Sequence, residues 1–156
     1  ATGYRFPHQI SGKLFGKSGT SLADYFGTRP RAFMGTSVAG FPNMFMMMGP
    51  FSAAGNQSAV FMLETQAGYI TKAVQTMRAK NLKNVDVRED VLDAFTNEVN
   101  ERSQKTSWVS GGCQSYFQNA EGGNAGLWPD WSFMHRWNSR KFDVDKYVVN
   151  SAEQVD

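Results

Sequence analysis

Val60, Leu63, Ala67, Ile70, Val74 and Met77 recur at intervals of three and four residues, which places all six on one face of a helix. A segment this long and this periodic predicts an amphipathic helix over residues 57–80. Arg78 and Lys80 close it, cations at the end where a helix exposes its carbonyls. Whatever else the chain builds has to accommodate that helix.

Weaker signals flank it. Residues 32–34 and 44–48 are expected as strands around a turn that carries Gly40 and Pro42. The run Phe45-Met46-Met47-Met48 has no alternation, so as a strand it would be covered on both faces, in the centre of a layered sheet. After the helix, Val85 and Val87 flank Asp86 in strand-like alternation. A second helix is expected from Glu89 to about Gln104, with Leu92, Phe95 and Val99 inward.

From Trp108 onward the pattern dissolves into Gly111-Gly112, Gly122-Gly123 and Gly126, interleaved with Trp108, Tyr116, Phe117, Trp128, Trp131 and Trp137. This reads as loop pinned by aromatics, with a short helix within residues 130–140 and a polar tail from Asn150 that frays. The first thirty residues read as loop with short strands. The expected class is α/β, a sheet partly covered by the long helix, divided into residues 1–82 and residues 83–156.

Composition narrows the functions. The 16 Lys+Arg nearly balance the 14 Asp+Glu, so overall charge does not point to nucleic acid or a membrane surface as a partner. No apolar run approaches the ~20 residues that span a bilayer. The lone Cys113 rules out an internal disulfide and a cysteine zinc cage, and a reducing, cytoplasmic setting is expected. The chain opens on Ala1-Thr2-Gly3-Tyr4, without an initiator Met or a signal pattern, and reads as starting inside a longer sequence.

The junction of residues 49–60 is the most informative stretch for chemistry. An apolar run gives way through Gly49, Pro50 and the small residues Ser52, Ala53, Ala54 and Gly55 to the start of the long helix. The first N–H groups of a helix lack internal partners, and no Asp or Glu precedes Glu64 to occupy them. Small residues there allow a phosphate, a carbonyl or the edge of a flat ring to approach the main chain. The plainer reading is that Asn56 or Ser58 caps the helix and water satisfies the rest.

Gly40-Phe41-Pro42-Asn43-Met44-Phe45, then Gly49-Pro50, then Ser58 through Phe61-Met62-Leu63-Glu64-Thr65-Gln66-Ala67 to Tyr69-Ile70 resembles the closing segment of Baeyer–Villiger and related flavin-containing monooxygenases. Ala1-Thr2-Gly3-Tyr4 looks like that family's ATG strand end, and residues 108–116 with Leu127-Trp128-Pro129 resemble its C-terminal region. The match runs in order over nearly the whole chain. It implies the C-terminal part of a fold with two dinucleotide-binding domains, which uses FAD and NADPH, forms a flavin peroxide with oxygen and transfers one oxygen atom to a small-molecule substrate. The Gly-Phe-Pro-Asn run and Gly111-Gly112-Cys113 look more like the ketone-oxidising branch than like enzymes that oxidise nitrogen or sulfur.

By this resemblance Thr2 and Gly3 lie near the cofactor, Gly49 and Pro50 form the turn, and Asn56, Gln57, Ser58 and Ala59 face the flavin. Phe51 and Asn56 stand where many relatives carry Asn and His, which leaves local flavin contacts and substrate class open. The family's glycine-rich turns and its catalytic arginine lie upstream of the ATG strand, and the chain contains no G-x-G-x-x-G. No catalytic residue is therefore assigned. The isolated chain is expected to be inactive, with the upstream part of the same enzyme as its partner and unpaired sheet edges without it. The alternatives are a fragment that associates through those edges without a cofactor, and a flavin disulfide-reductase relative, against which the absence of C-x-x-C counts.

The remaining candidates are weaker. Cys113 has no histidine near it in sequence, and His8 and His135 are too far apart to suggest a metal site. Asn56-Gln57-Ser58 matches a glycosylation acceptor with no secretory signal beside it. Arg136 and Arg140, four apart, read as a phosphate contact or as a solvated helix face.

Overall fold

A computed structural model of the chain describes residues 12–53, 55, 57–112, 117–119 and 121–151. The element order is α1 (Leu22–Phe26), α2 (Ala59–Ala79), β1 (Leu82–Val87), α3 (Glu89–Ser103), α4 (Ser107–Ser110), α5 (Ser132–Asn138), a 3-10 turn (Val144–Lys146) and β2 (Tyr147–Ser151). The class is α/β, as expected. Among the described residues the sheet is two antiparallel strands, β1 and β2.

α2 forms where the periodicity puts it. Ser58 is its N-cap, the side chain accepting from Val60 N–H, and its 21 residues end with Arg78 in the last turn. The buried face differs from the apolar stripe. Met62, Thr65, Gln66, Tyr69 and Ala73 are inward, whereas Val60 is 60% and Val74 47% exposed. The inward face is rotated roughly a third of a turn from the stripe at 3.6 residues per turn. Its polar tips explain the choice, because Gln66 and Tyr69 each meet hydrogen-bond partners in the interior that a purely apolar face would leave unsatisfied.

The strands expected at residues 32–34 and 44–48 do not form. Residues 32–39 are a buried run of tight turns, with Met34 and Gly35 at positive φ and Phe33 N–H bonded to Ser37 carbonyl at 2.8 Å. Residues 44–48 are bounded by Asn43 and Met48, both at positive φ, a conformation that ends extended backbone. Met46 N–H bonds to Thr36 carbonyl and Met47 is 47% exposed, so this run is not a central strand covered on both faces.

β1 behaves as its alternation suggests and goes further, since Val85, Asp86 and Val87 are all buried. Val85 and Val87 join Phe33, Met34, Tyr69, Leu92 and Tyr147 in the main core. Asp86 accepts from Gly40 N–H at 2.9 Å and from Lys17 Nζ at 2.7 Å. The outer edge of β1 is not bare, because Asn43 takes the place of a strand: its N–H donates to Val85 carbonyl and its Oδ1 accepts from Val85 N–H. β2 corrects the expected fraying at Asn150 and Ser151, the rest of that tail lying outside the described residues. Asn150 pairs with Asn84 and Ser151 with Leu82. α3 matches its expected extent, with Leu92 and Val99 buried and Phe95 partly so.

A buried chain of hydroxyls ties three elements together. Tyr69 OH of α2 lies 2.7 Å from Tyr147 OH of β2, which lies 3.3 Å from Ser37 Oγ. Burial pushes the Tyr147 phenol up to about 12 and the Tyr69 phenol higher still. No helix among the described residues is long and apolar enough to cross a membrane.

Candidate functional site

The turn over residues 49–59 divides into a packed half and an open half. Gly49 and Pro50 are buried, and Gly49 N–H bonds to Gly35 carbonyl at 3.2 Å. A Cβ on Gly49 would lie 2.6 Å from that carbonyl, and one on Gly35 would lie 2.4 Å from Ser52 Cβ. The two glycines let the turns pack backbone to backbone. Phe51, at φ 63°, is buried with Met62, Val99 and Trp128, and Ser52 Oγ donates to Gly49 carbonyl at 2.6 Å.

Gln66 locks this half to α2. Its Oε1 accepts from Met48 N–H at 2.8 Å and its Nε2 donates to Gly35 carbonyl at 3.1 Å. From the other side Ala53 pairs in parallel with Leu127: Ala53 N–H donates to Gly126 carbonyl at 2.8 Å, and Trp128 N–H to Ala53 carbonyl at 2.7 Å. The glycine-rich aromatic region therefore braces the turn directly. Sequence reasoning placed those aromatics in a pinned loop and did not find this contact. The Leu127-Trp128-Pro129 run was its only trace.

The open half leads onto α2. Gly55, Gln57, Ser58 and Ala59 are exposed, and no acidic residue lies in the first helical turn. Ser58 Oγ takes Val60 N–H at 3.2 Å and Ser58 carbonyl takes Phe61 N–H at 3.1 Å, so capping by Ser58 is real but spends only part of the donor set. Beside it, Gly55, Thr106, Trp108, Trp128, Pro129, Asp130 and Trp131 line a recess of about 250 Å³. A Cβ on Gly55 would meet the Trp108 ring at 2.8 Å, so any larger residue there would push that ring aside.

Of the candidate cofactor contacts, Gly49 and Pro50 thus shape the turn from inside, and Gln57, Ser58 and Ala59 present its surface. Thr2, Gly3 and Asn56 lie outside the described residues, as do His8 and Cys113. A positive helix end without acids, beside an aromatic recess, suits an electron-rich planar group such as a flavin edge. The described residues contain no cluster of metal-binding side chains.

His135 is fully buried behind this wall, its ring 4.9 Å from Trp128 and edge-on to it. Among the described residues its Nε2 has no hydrogen-bond partner, and burial pushes the imidazole down to about 4, with the backbone of Met34 pulling the other way. Arg136 lies over Phe61 at 5.0 Å and Arg140 over Trp137 at 3.4 Å, both at the surface.

No family model matches the chain. It is 34% identical over 142 residues to a Baeyer-Villiger monooxygenase of Pseudomonas aeruginosa, covering 90% of this chain and 27% of that protein. It is 31% identical over 136 residues to an FAD-binding monooxygenase of Aspergillus niger, covering 83% of this chain and 22% of that protein. The fold is similar to a closed crystal structure of cyclohexanone monooxygenase, with a TM-score of 0.74 at 20% identity over 88% of this chain and 27% of the other. It is also similar to oxidized steroid monooxygenase bound to NADP, with a TM-score of 0.76 at 17% identity over 88% of this chain and 26% of the other. The chain spans about a quarter of the length of these proteins.

Proposed function

The chain belongs to the Baeyer–Villiger-type flavin-containing monooxygenases over nearly all of its length, and from that premise we propose that it supplies one wall of the flavin site in an FAD- and NADPH-dependent enzyme. That enzyme inserts one oxygen atom from O2 into an organic substrate, by preference a ketone. The observation that carries this reading is the open, acid-free start of α2, held in place by the Gln66 clamp and the Ala53–Leu127 bridge.

Gln57, Ser58 and Ala59 are the residues that would hold the flavin edge here, Ala59 because its small side chain lets a ring approach the main chain. FAD bound there supplies the two-electron chemistry that lets O2 react. The chain's own part is to present helix-start N–H groups and to exclude water with Trp108 and Trp128. Gly49 and Pro50 fix the angle at which the turn meets α2. Thr2, Gly3 and Asn56 complete the proposed set.

The apolar stripe of α2 supports a covalent or assembled partner. Val60, Leu63, Ala67, Ile70 and Val74 form an uncharged aliphatic seam on a helix whose other face is already packed. The upstream dinucleotide-binding part of the same enzyme is its proposed cover. The same seam favours the second reading, a fragment that self-associates without cofactor, better than the partly covered edge of β1 does.

Expression of the chain alone and joined to the upstream segments separates the two. The joined protein is expected to bind FAD and consume O2 with NADPH, and the lone chain to associate and do neither. Bound flavin and NADPH-dependent oxygen consumption by the lone chain would overturn the view that it is one wall of a larger site.

A further inference from the structure

The near balance of charge over the whole chain conceals a local excess. Residues 131–142 hold Arg136, Arg140 and Lys141 and no Asp or Glu. The neighbouring Asp130 is engaged by Arg102 Nη1 at 2.6 Å. In the same stretch Trp131, Phe133 and Trp137 are 62%, 58% and 60% exposed, on or beside the seven-residue α5. Trp131 stacks on Phe133 at 6.3 Å, and Arg140 lies on the face of Trp137. Phe133, Met134, Arg136, Trp137 and Arg140 together line a shallow groove.

This surface differs in kind from the outward seam of α2. The seam is aliphatic and uncharged, as the buried face between two parts of one protein is. The α5 surface joins exposed indole and phenyl rings to guanidinium groups, the composition of side chains that sit where an apolar phase meets water and anions. We propose that it docks on an anionic phospholipid surface, the rings entering the headgroup boundary and Arg136 and Arg140 pairing with lipid phosphates. The underside of α5 is built to hold it, with Ser132, His135 and Ser139 buried and Lys72 Nζ donating to Arg140 carbonyl.

The test uses the full-length protein that carries this chain, mixed with vesicles of phosphatidylglycerol or of phosphatidylcholine. Sedimentation with phosphatidylglycerol vesicles, weakened by salt and absent with phosphatidylcholine, is the expected result. Phe133→Ala with Trp137→Ala is expected to weaken it at least about tenfold, and Arg136→Gln with Arg140→Gln to abolish the preference for anionic lipid. All four side chains lie at the surface, so an unchanged melting temperature accompanies either pair. The proposal is overturned if the wild type ignores both vesicles, if the variants sediment like the wild type, or if polyglutamate binds this surface while vesicles do not, which would make the partner an acidic protein segment.

Discussion

The Gln66 side chain donates to the Gly35 carbonyl at 3.1 Å, and this single buried carboxamide joins α2 to the turn that precedes the candidate site. Its oxygen is also used, by Met48 N–H at 2.8 Å. Replacing Gln66 with Leu leaves Met48 N–H without its acceptor, while Gly35 carbonyl keeps Gly49 N–H, so one stranded group is left at about 1–3 kcal/mol. Urea unfolding of Gln66→Leu is therefore expected to show a loss of about 1–3 kcal/mol. A loss under about 0.5 kcal/mol, the range of ordinary surface changes, would remove the clamp from the account.

Glycine positions in the same region separate strain from crowding. Gly35→Ala puts a Cβ 2.4 Å from Ser52 Cβ at φ 68°, so overpacking and left-handed strain add to about 2–5 kcal/mol of destabilisation. Gly40→Ala meets nothing within 4 Å at φ 83° and is expected to cost only about 1 kcal/mol. Gly68→Ala, in open space within α2, is expected to stabilise by about 0.5–1 kcal/mol. Thermal melts of the three variants should rank in that order.

His135 gives the stability an acid limb. Its folded-state pKa is pushed down from 6.5 to about 4 by burial, so the unfolded chain takes up the proton first as pH falls. The contribution is fully present above pH 6.5 and is lost between there and pH 4, on the order of 3 kcal/mol in all. The denaturant midpoint of wild type should fall relative to that of His135→Phe as pH falls from 7 to 4. Parallel curves would show that the imidazole is not buried neutral.

The tyrosine pair sets the alkaline limb. Burial raises Tyr147 from 10.0 to about 12 and raises Tyr69 as well, so the unfolded chain loses these protons first and stability declines as pH rises above about 10. A double-mutant cycle of Tyr69→Phe and Tyr147→Phe is expected to give a coupling of about 0.5–1.5 kcal/mol for their 2.7 Å contact. Additive losses would mean that the two hydroxyls do not share a hydrogen bond.

The sequence revealed elements whose causes are local and hid those whose causes are not. α2 and α3 follow from spacing at three and four residues, and β1 from the valines around Asp86. β2 has no local signal because Tyr147 through Ser151 gains its partner from residues sixty or more positions away. Residues 32–34 suggest a strand because Met34 gives no sign in sequence of its positive φ. The face of α2 was misjudged for a related reason: an apolar stripe outranks Gln66 and Tyr69 in a periodicity count, yet their polar tips have dedicated interior partners. At the candidate site, the turn and its glycines were legible, whereas the brace from Leu127 and Trp128 was not, since nothing near Ala53 announces a bridge to it.

The central claim is that the acid-free start of α2 faces the flavin, and Ala59→Asp in the full-length protein tests it most directly. An acid in the first helical turn stabilises a free helix by about 0.3–1 kcal/mol, so the apoprotein should melt at the same temperature or higher. The same carboxylate would stand against an electron-rich ring edge. FAD titrated into that apoprotein is predicted to bind at least about tenfold more weakly than to wild type. Unchanged FAD affinity would contradict the placement of α2 against the cofactor.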